Sequence, residues 1–345
     1  MNFKLQKNQK NILAIFLLIF LLGIFSFFLF SQKGDIFNIE GGEIISFKAP
    51  EEVPPPPLEK SPFSGIPCVK TKERAFGIVL AQQPEVMPLS GISQADIVIE
   101  APVVNPGGIT RLLAIFQCQE PIEIGAIRSV RSHMVDLALG FDVVFSSWGG
   151  CDTAISQIKN SGLDWLDARV NPAQAFFRKA NIPSPHNGFT SSEGLKKAIK
   201  QLKFRETNEF EGYQFLEETD SSETDLTISA ESIEINYYYP VKFEYKKERE
   251  AYLRIFNGRE MIDRSTNKPV YAKNVILMKT KMRTISPGMI EIKIVGEGEA
   301  KIYQEGKEIE GSWKKESPKG KLIFFDKENK EIKFLPGPIW IEIIN

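Results

Sequence analysis

At 345 residues, with 42% apolar and 25% charged side chains, the chain has an ordinary globular composition and enough material for at least one sizeable core. Forty-three Lys and Arg against forty-four Asp and Glu leave a formal charge of −1, so nothing global points to nucleic acid as a partner and any anion recognition must be local. Cys68, Cys118 and Cys151 are an odd number without CxxC or metal-ligand spacing; they indicate neither a disulfide framework nor a metal centre, although one pair could form.

In chain order, Lys4, Lys7 and Lys10 precede an uncharged apolar run over residues 12–30. As a helix that run would reach about 28 Å, enough to span a bilayer. The flanking FFLFSQKGD has Phe and Leu where a signal-peptidase site needs small residues, so the run is expected to stay as a transmembrane signal anchor. No cysteine follows it closely, which removes the attachment point of a bacterial lipoprotein. The lysines place residues 1–11 in the cytoplasm and the remainder outside. Residues 31–60, ending in a polyproline stretch, read as a tether able to reach roughly 100 Å.

A first domain is expected over 61–215, an α/β fold with a mixed sheet and helices. Residues 75–82, 95–104, 111–118 and 141–148 are short apolar runs bounded by Gly, Pro or polar side chains, as strands are. Residues 129–140 have a helical pattern with Ser129 as a cap and Gly140 as a stop. A second helix follows Gly149 and Gly150, and a third opens with Thr190 and Glu193 at capping-box spacing. After a linker at 216–232, residues 233–345 alternate in strand fashion, with turns at Asn257-Gly258, Glu305-Gly306 and Glu328-Asn329. This smaller, mainly β domain is expected to fold by itself, and its Lys and Glu residues to form a solvated face open to a protein partner.

Several motifs carry a resemblance to a known family. Residues 107–111 (GGITR), 125–131 (GAIRSVR), Trp148-Gly149-Gly150 and Pro185-His186-Asn187 occur in an order similar to the YerB-like lipoproteins, a bacterial envelope family of unknown function. Phe256-Asn257-Gly258, residues 272–275 (AKNV), Gly296-Glu297-Gly298 and residues 311–314 (GSWK) resemble that family's second domain. The resemblance implies a two-domain envelope protein and no particular chemistry. The chain departs from it at Trp148 and Cys151, where the family usually has His and Ser beside the glycine pair, and at Gln82, Gln83 and Met87 ahead of Ser90-Gly91.

Three arginines concentrate the functional signal. Arg111 follows a Gly-Gly turn, and Arg128 and Arg131 stand three apart at the predicted opening of a helix, with Ser129 between them. A helix N-terminus with two guanidiniums suits a carboxylate or phosphate. The alternative is internal: Asp96 and Glu100, on one strand face, could be permanent partners of these arginines. For a ligand crevice the expected residues are Arg111, Arg128, Ser129, Arg131, Gly149, Gly150, His186 and Asn187, at the strand ends where open α/β sheets build their sites. Catalysis, if any, would draw on His186, Cys151, Asp96 or Glu100; no metal and no cofactor are indicated. The sequence therefore favours a membrane-anchored, extracytoplasmic binding protein for an anionic ligand of the cell envelope. The alternative is a hydrolase or transferase acting on cell-wall glycan or peptide.

Overall fold

The first three strands, β1 (Phe76–Gln82), β2 (Ile97–Pro102) and β3 (Thr110–Phe116), are buried at every residue. Their apolar runs are continuous because both faces of the sheet they form are covered. These assignments come from a computed structural model that describes residues 58–217 and 228–345. The expected cytoplasmic tail, the span at 12–30, nearly all of the tether and the middle of the linker lie outside the described residues. Among the described residues no helix is long and apolar enough to cross a membrane.

Chain order continues with α1 (Ser132–Gly140), β4 (Val144–Ser147), α2 (Asp152–Ser161), β5 (Trp165–Asp167) and α3 (Ser192–Leu202). Two predicted helix starts move. The first helix begins at Ser132, capped at Arg131, and not at Ser129, because residues 128–131 are drawn into pairing with residues 148–151. The amide of Trp148 donates to Arg128 O at 3.0 Å and that of Val130 to Gly149 O at 2.9 Å. The third helix is capped by Ser191, whose Oγ accepts from Gly194 N, while Thr190 spends its hydroxyl on Ala175 O.

The second half supplies β6 (Ile228–Ser229), β7 (Ser232–Ile235), β8 (Val241–Lys246), β9 (Ala251–Phe256), β10 (Asn274–Lys279), β11 (Met282–Ser286) and β12 (Met289–Ile292). It ends with β13 (Gly296–Gln304), β14 (Lys307–Lys315), β15 (Ile323–Asp326) and β16 (Ile339–Ile344). This half is mostly β, as expected. At Asn257-Gly258 and Glu305-Gly306 both residues have positive φ, the backbone that a two-residue hairpin turn requires.

An eleven-stranded mixed sheet runs β6-β14-β13-β10-β16-β2-β3-β1-β4-β5, with β15 beside β14. The two halves are stitched together at its centre, because β16 lies parallel to β2 on one side and to β10 on the other. Residues 58–345 accordingly form one compact unit, and the β-rich half completes its sheet with a strand from the first half. Cys68 and Cys118, fifty positions apart, are joined by a disulfide, which leaves Cys151 as the free thiol.

That central seam answers the sequence alternative for Asp96 and Glu100. Glu100 on β2 stands in register with Glu342 on β16, both fully buried. Arg254 of β9 pairs with Glu100 and lies over the Trp340 ring at 4.3 Å. The Thr110 hydroxyl also donates to Glu100. Asp96 accepts from Ser64 Oγ at 2.6 Å and from the Gln117 and Cys118 amides at 2.7 and 3.3 Å. Neither carboxylate reaches Arg111, Arg128 or Arg131, so the internal-partner reading is corrected.

Candidate functional site

The glycine pair sets the geometry from which the site is built. Gly149 has φ of +63°, and its amide donates to Asp167 Oδ1 at 3.1 Å. A Cβ on Gly150 would stand 2.5 Å from Val130 Cγ1. The pair therefore lets residues 128–131 lie directly on residues 148–151. Its part is positioning, and it brings the N-terminal ends of α1 and α2 side by side. Ser132 Oγ donates to Thr153 Oγ1 at 3.3 Å across them. The two N-cap residues, Arg131 and Cys151, make no side-chain capping bond, so both helix ends present amides without that partner.

Behind these ends Arg111 and Arg131 meet on Ser129 without a carboxylate, and Arg128 lies close enough for its charge to act on Arg111. Arg111, 8% exposed, donates to Ser129 O. Half-buried Arg131 donates from Nη1 to Ser129 Oγ at 3.4 Å and to Val130 O at 3.2 Å. Arg128 donates to Pro185 O at 3.3 Å, and its Nε is buried without a partner. Among the described residues none of the three forms an ion pair. Burial and the charges of Arg131 and Arg128 pull the Arg111 guanidinium well below its ordinary pKa, and burial with Arg131 lowers that of Arg128. Arginine stays protonated in proteins, so the accumulated positive charge is a standing electrostatic cost that a bound anion would offset.

His133 registers this positive charge. It is 3% exposed, both ring nitrogens lack a hydrogen-bond partner, and burial together with Arg131 and Arg111 lowers its pKa to about 3. The imidazole is neutral. It lines a cavity of about 930 Å³ together with Arg131, Ser132, Cys151 and Thr153. The opposite wall is the β11–β12 hairpin. That volume falls in the range of small-molecule sites.

The predicted residues thus divide. Arg131 borders the cavity, Arg111 and Ser129 stand behind it, and Gly149 and Gly150 shape the backbone. Arg128 faces away toward the 183–187 loop, where burial and Arg128 lower the pKa of His186. Asn187 is held by Arg178 at 2.6 Å, and Arg178 lies over the Trp148 ring at 4.1 Å. Cys151 Sγ contacts Thr153 Oγ1 at 3.3 Å, and no hydrogen bond joins it to His186 among the described residues. A cysteine–histidine pair is therefore not assembled. The hairpin wall, with Lys281 and Lys293 at its base, is absent from the sequence expectations, since nothing local ties residues 281–295 to a helix about 150 positions earlier.

Comparison with known proteins shows the family. Residues 63–205 match the family description "Protein of unknown function (DUF3048) N-terminal domain", and residues 232–341 match its C-terminal domain. The chain is 32% identical to "Putative lipoprotein YerB" of Bacillus subtilis (strain 168) over 298 residues, covering 83% of this chain and 86% of that protein. The crystal structure of Bacillus subtilis YerB superposes with a TM-score of 0.73 at 31% identity, covering 83% of this chain and 96% of the other. With both domains matched in order and a relative similar along most of its length, the chain belongs to the YerB-like, DUF3048 family.

Proposed function

We propose that this is a membrane-anchored, extracytoplasmic binding protein that holds an anionic ligand of the cell envelope at the paired N-termini of α1 and α2. The carrying observation is that Arg131, backed by Arg111, stands with no carboxylate partner beside two helix ends whose cap residues make no side-chain capping bond. The Cys68–Cys118 disulfide supports an oxidising compartment, and the name of the Bacillus relative supports an envelope location. The apolar run at 12–30 supplies the anchor. Catalysis is disfavoured because Asp96 and Glu100 are buried in bonds of their own while Cys151 and His186 stand apart.

Titrating inorganic phosphate and sulfate into the full chain and its Arg131→Ala variant tests the reading. Saturable anion binding that the variant loses, with an unchanged melting temperature, is expected. No binding by the unaltered chain would sink it.

A further inference from the structure

The cavity has two chemically different walls, and the second goes beyond anion binding. Facing Arg131 and His133 is the β11–β12 hairpin, which presents Met282, Ile285, Met289 and Ile290. Ile285 is 49% exposed, a large aliphatic side chain left in solvent, whereas Ile290 and Ile292 of the same hairpin are buried and β12 contacts α1. Lys281 and Lys293 flank this wall and form no ion pair among the described residues. The two carboxylates of the lining are already engaged: Glu291 pairs with Arg283, and Asp136 accepts from Gln157 Nε2 at 2.7 Å. Buried His133, with two unpartnered nitrogens, sits between the cationic end and the apolar wall. Among the described residues the lining holds no Phe, Tyr or Trp ring on which a sugar would stack. Unbranched thioethers and branched aliphatics instead make an adaptable surface for a flexible hydrocarbon.

Resting on the anion-binding reading, we infer that the ligand is an anionic amphiphile, a monoester phosphate carrying an alkyl or isoprenoid chain. The phosphate sits at Arg131 and the ends of α1 and α2, where the amides of Ser132 and His133 and the Thr153 hydroxyl are in position to donate. The chain runs along Ile285 and Met289. Charge decides one end and apolar burial the other, and neither end alone accounts for a cavity with both.

The test compares hexyl phosphate, inorganic phosphate and hexyltrimethylammonium on the full chain by calorimetry. Every two buried methylenes multiply affinity by roughly ten, so hexyl phosphate is expected to bind at least about tenfold tighter than phosphate. The ammonium salt, which has the same chain and the opposite charge, is expected not to bind at the site. Ile285→Asp and Met289→Asp should each erase the gain of the alkyl chain, with the fold checked by melting. Equal affinity of the unaltered chain for hexyl phosphate and phosphate overturns the amphiphile while the anion site stands. Binding of hexyl phosphate that persists in Arg131→Ala and is matched by the ammonium salt overturns the anion site itself.

Discussion

At the scale of single residues, what distinguishes this molecule is charge left without a partner. Arg131 makes only three long hydrogen bonds, of 3.2 to 3.4 Å, and no ion pair. Removing it should therefore change stability by less than about 1 kcal/mol, within the range of substitutions away from a packed core. Urea titration of Arg131→Ala measures this, and a loss of several kcal/mol would mean that the guanidinium serves the fold. His133 makes the opposite case, because its burial has a pH signature. Its pKa falls from 6.5 to about 3, so the unfolded chain takes up a proton below about pH 6.5 that the native state refuses until about pH 3. The native state is then fully favoured above pH 6.5 and loses up to ~1.4 kcal/mol per pH unit as acid is added through that window. His133→Leu, with no group to titrate and no hydrogen bond to lose, should flatten this acid limb when stability is followed from pH 7 to pH 4. Parallel acid losses in both proteins would show that the imidazole is not held neutral.

At the scale of elements, the β2–β16 pairing fixes both a seam and a proton. Its register sets Glu100 beside Glu342, and burial with the neighbouring Glu100 pushes the Glu342 carboxyl well above the usual range. A raised carboxyl stabilises the fold at low pH and loses that contribution as pH rises through its native value. Glu342→Gln keeps an uncharged polar group in place, so it should remove this loss and leave stability at pH 8 equal or higher in denaturant titrations. Arg254→Met, by stranding Glu100 without its cation, should cost on the order of 3 to 5 kcal/mol, and Glu100→Gln in the same chain should recover much of it. The sequence singles out Glu100 but neither Arg254 nor Glu342 as its neighbours. Arg254 is 154 positions away from Glu100, and no local pattern carries that distance. By contrast β1, β2 and β3 were legible because strands covered on both faces are continuous apolar runs, and the hairpin turns because Asn-Gly and Glu-Gly advertise positive φ. The opening of α1 was misplaced because a good local cap, Ser129, was overruled by pairing with Trp148 and Gly149. Of the site, the arginines were visible as an excess of one charge; the hairpin wall that gives the cavity its apolar half was not.

At the scale of the whole molecule, two family domains share one sheet, and cooperativity should follow the sheet and not the sequence boundary. The strand that ends the chain sits between β2 and β10, so the β-rich half taken alone would expose an edge of β16 and the apolar residues Ile339 and Ile341. The expectation that residues 233–345 fold by themselves therefore gives way to a single transition for residues 58–345. The Cys68–Cys118 disulfide offers a way to test this at a distance. It closes a loop of fifty residues within the first half, and on the chain-entropy account it contributes about 4 kcal/mol. Trp313, buried on β14, lies near the opposite end of the sheet. If the molecule unfolds as one unit, Cys68→Ser with Cys118→Ser should lower the denaturation midpoint seen at Trp313 by the same amount as the midpoint seen by circular dichroism of the whole chain. Single-tryptophan variants retaining only Trp313 would isolate its fluorescence. A Trp313 transition that stays in place while the overall signal splits in two would show that the shared strand joins the halves in space without coupling their stability.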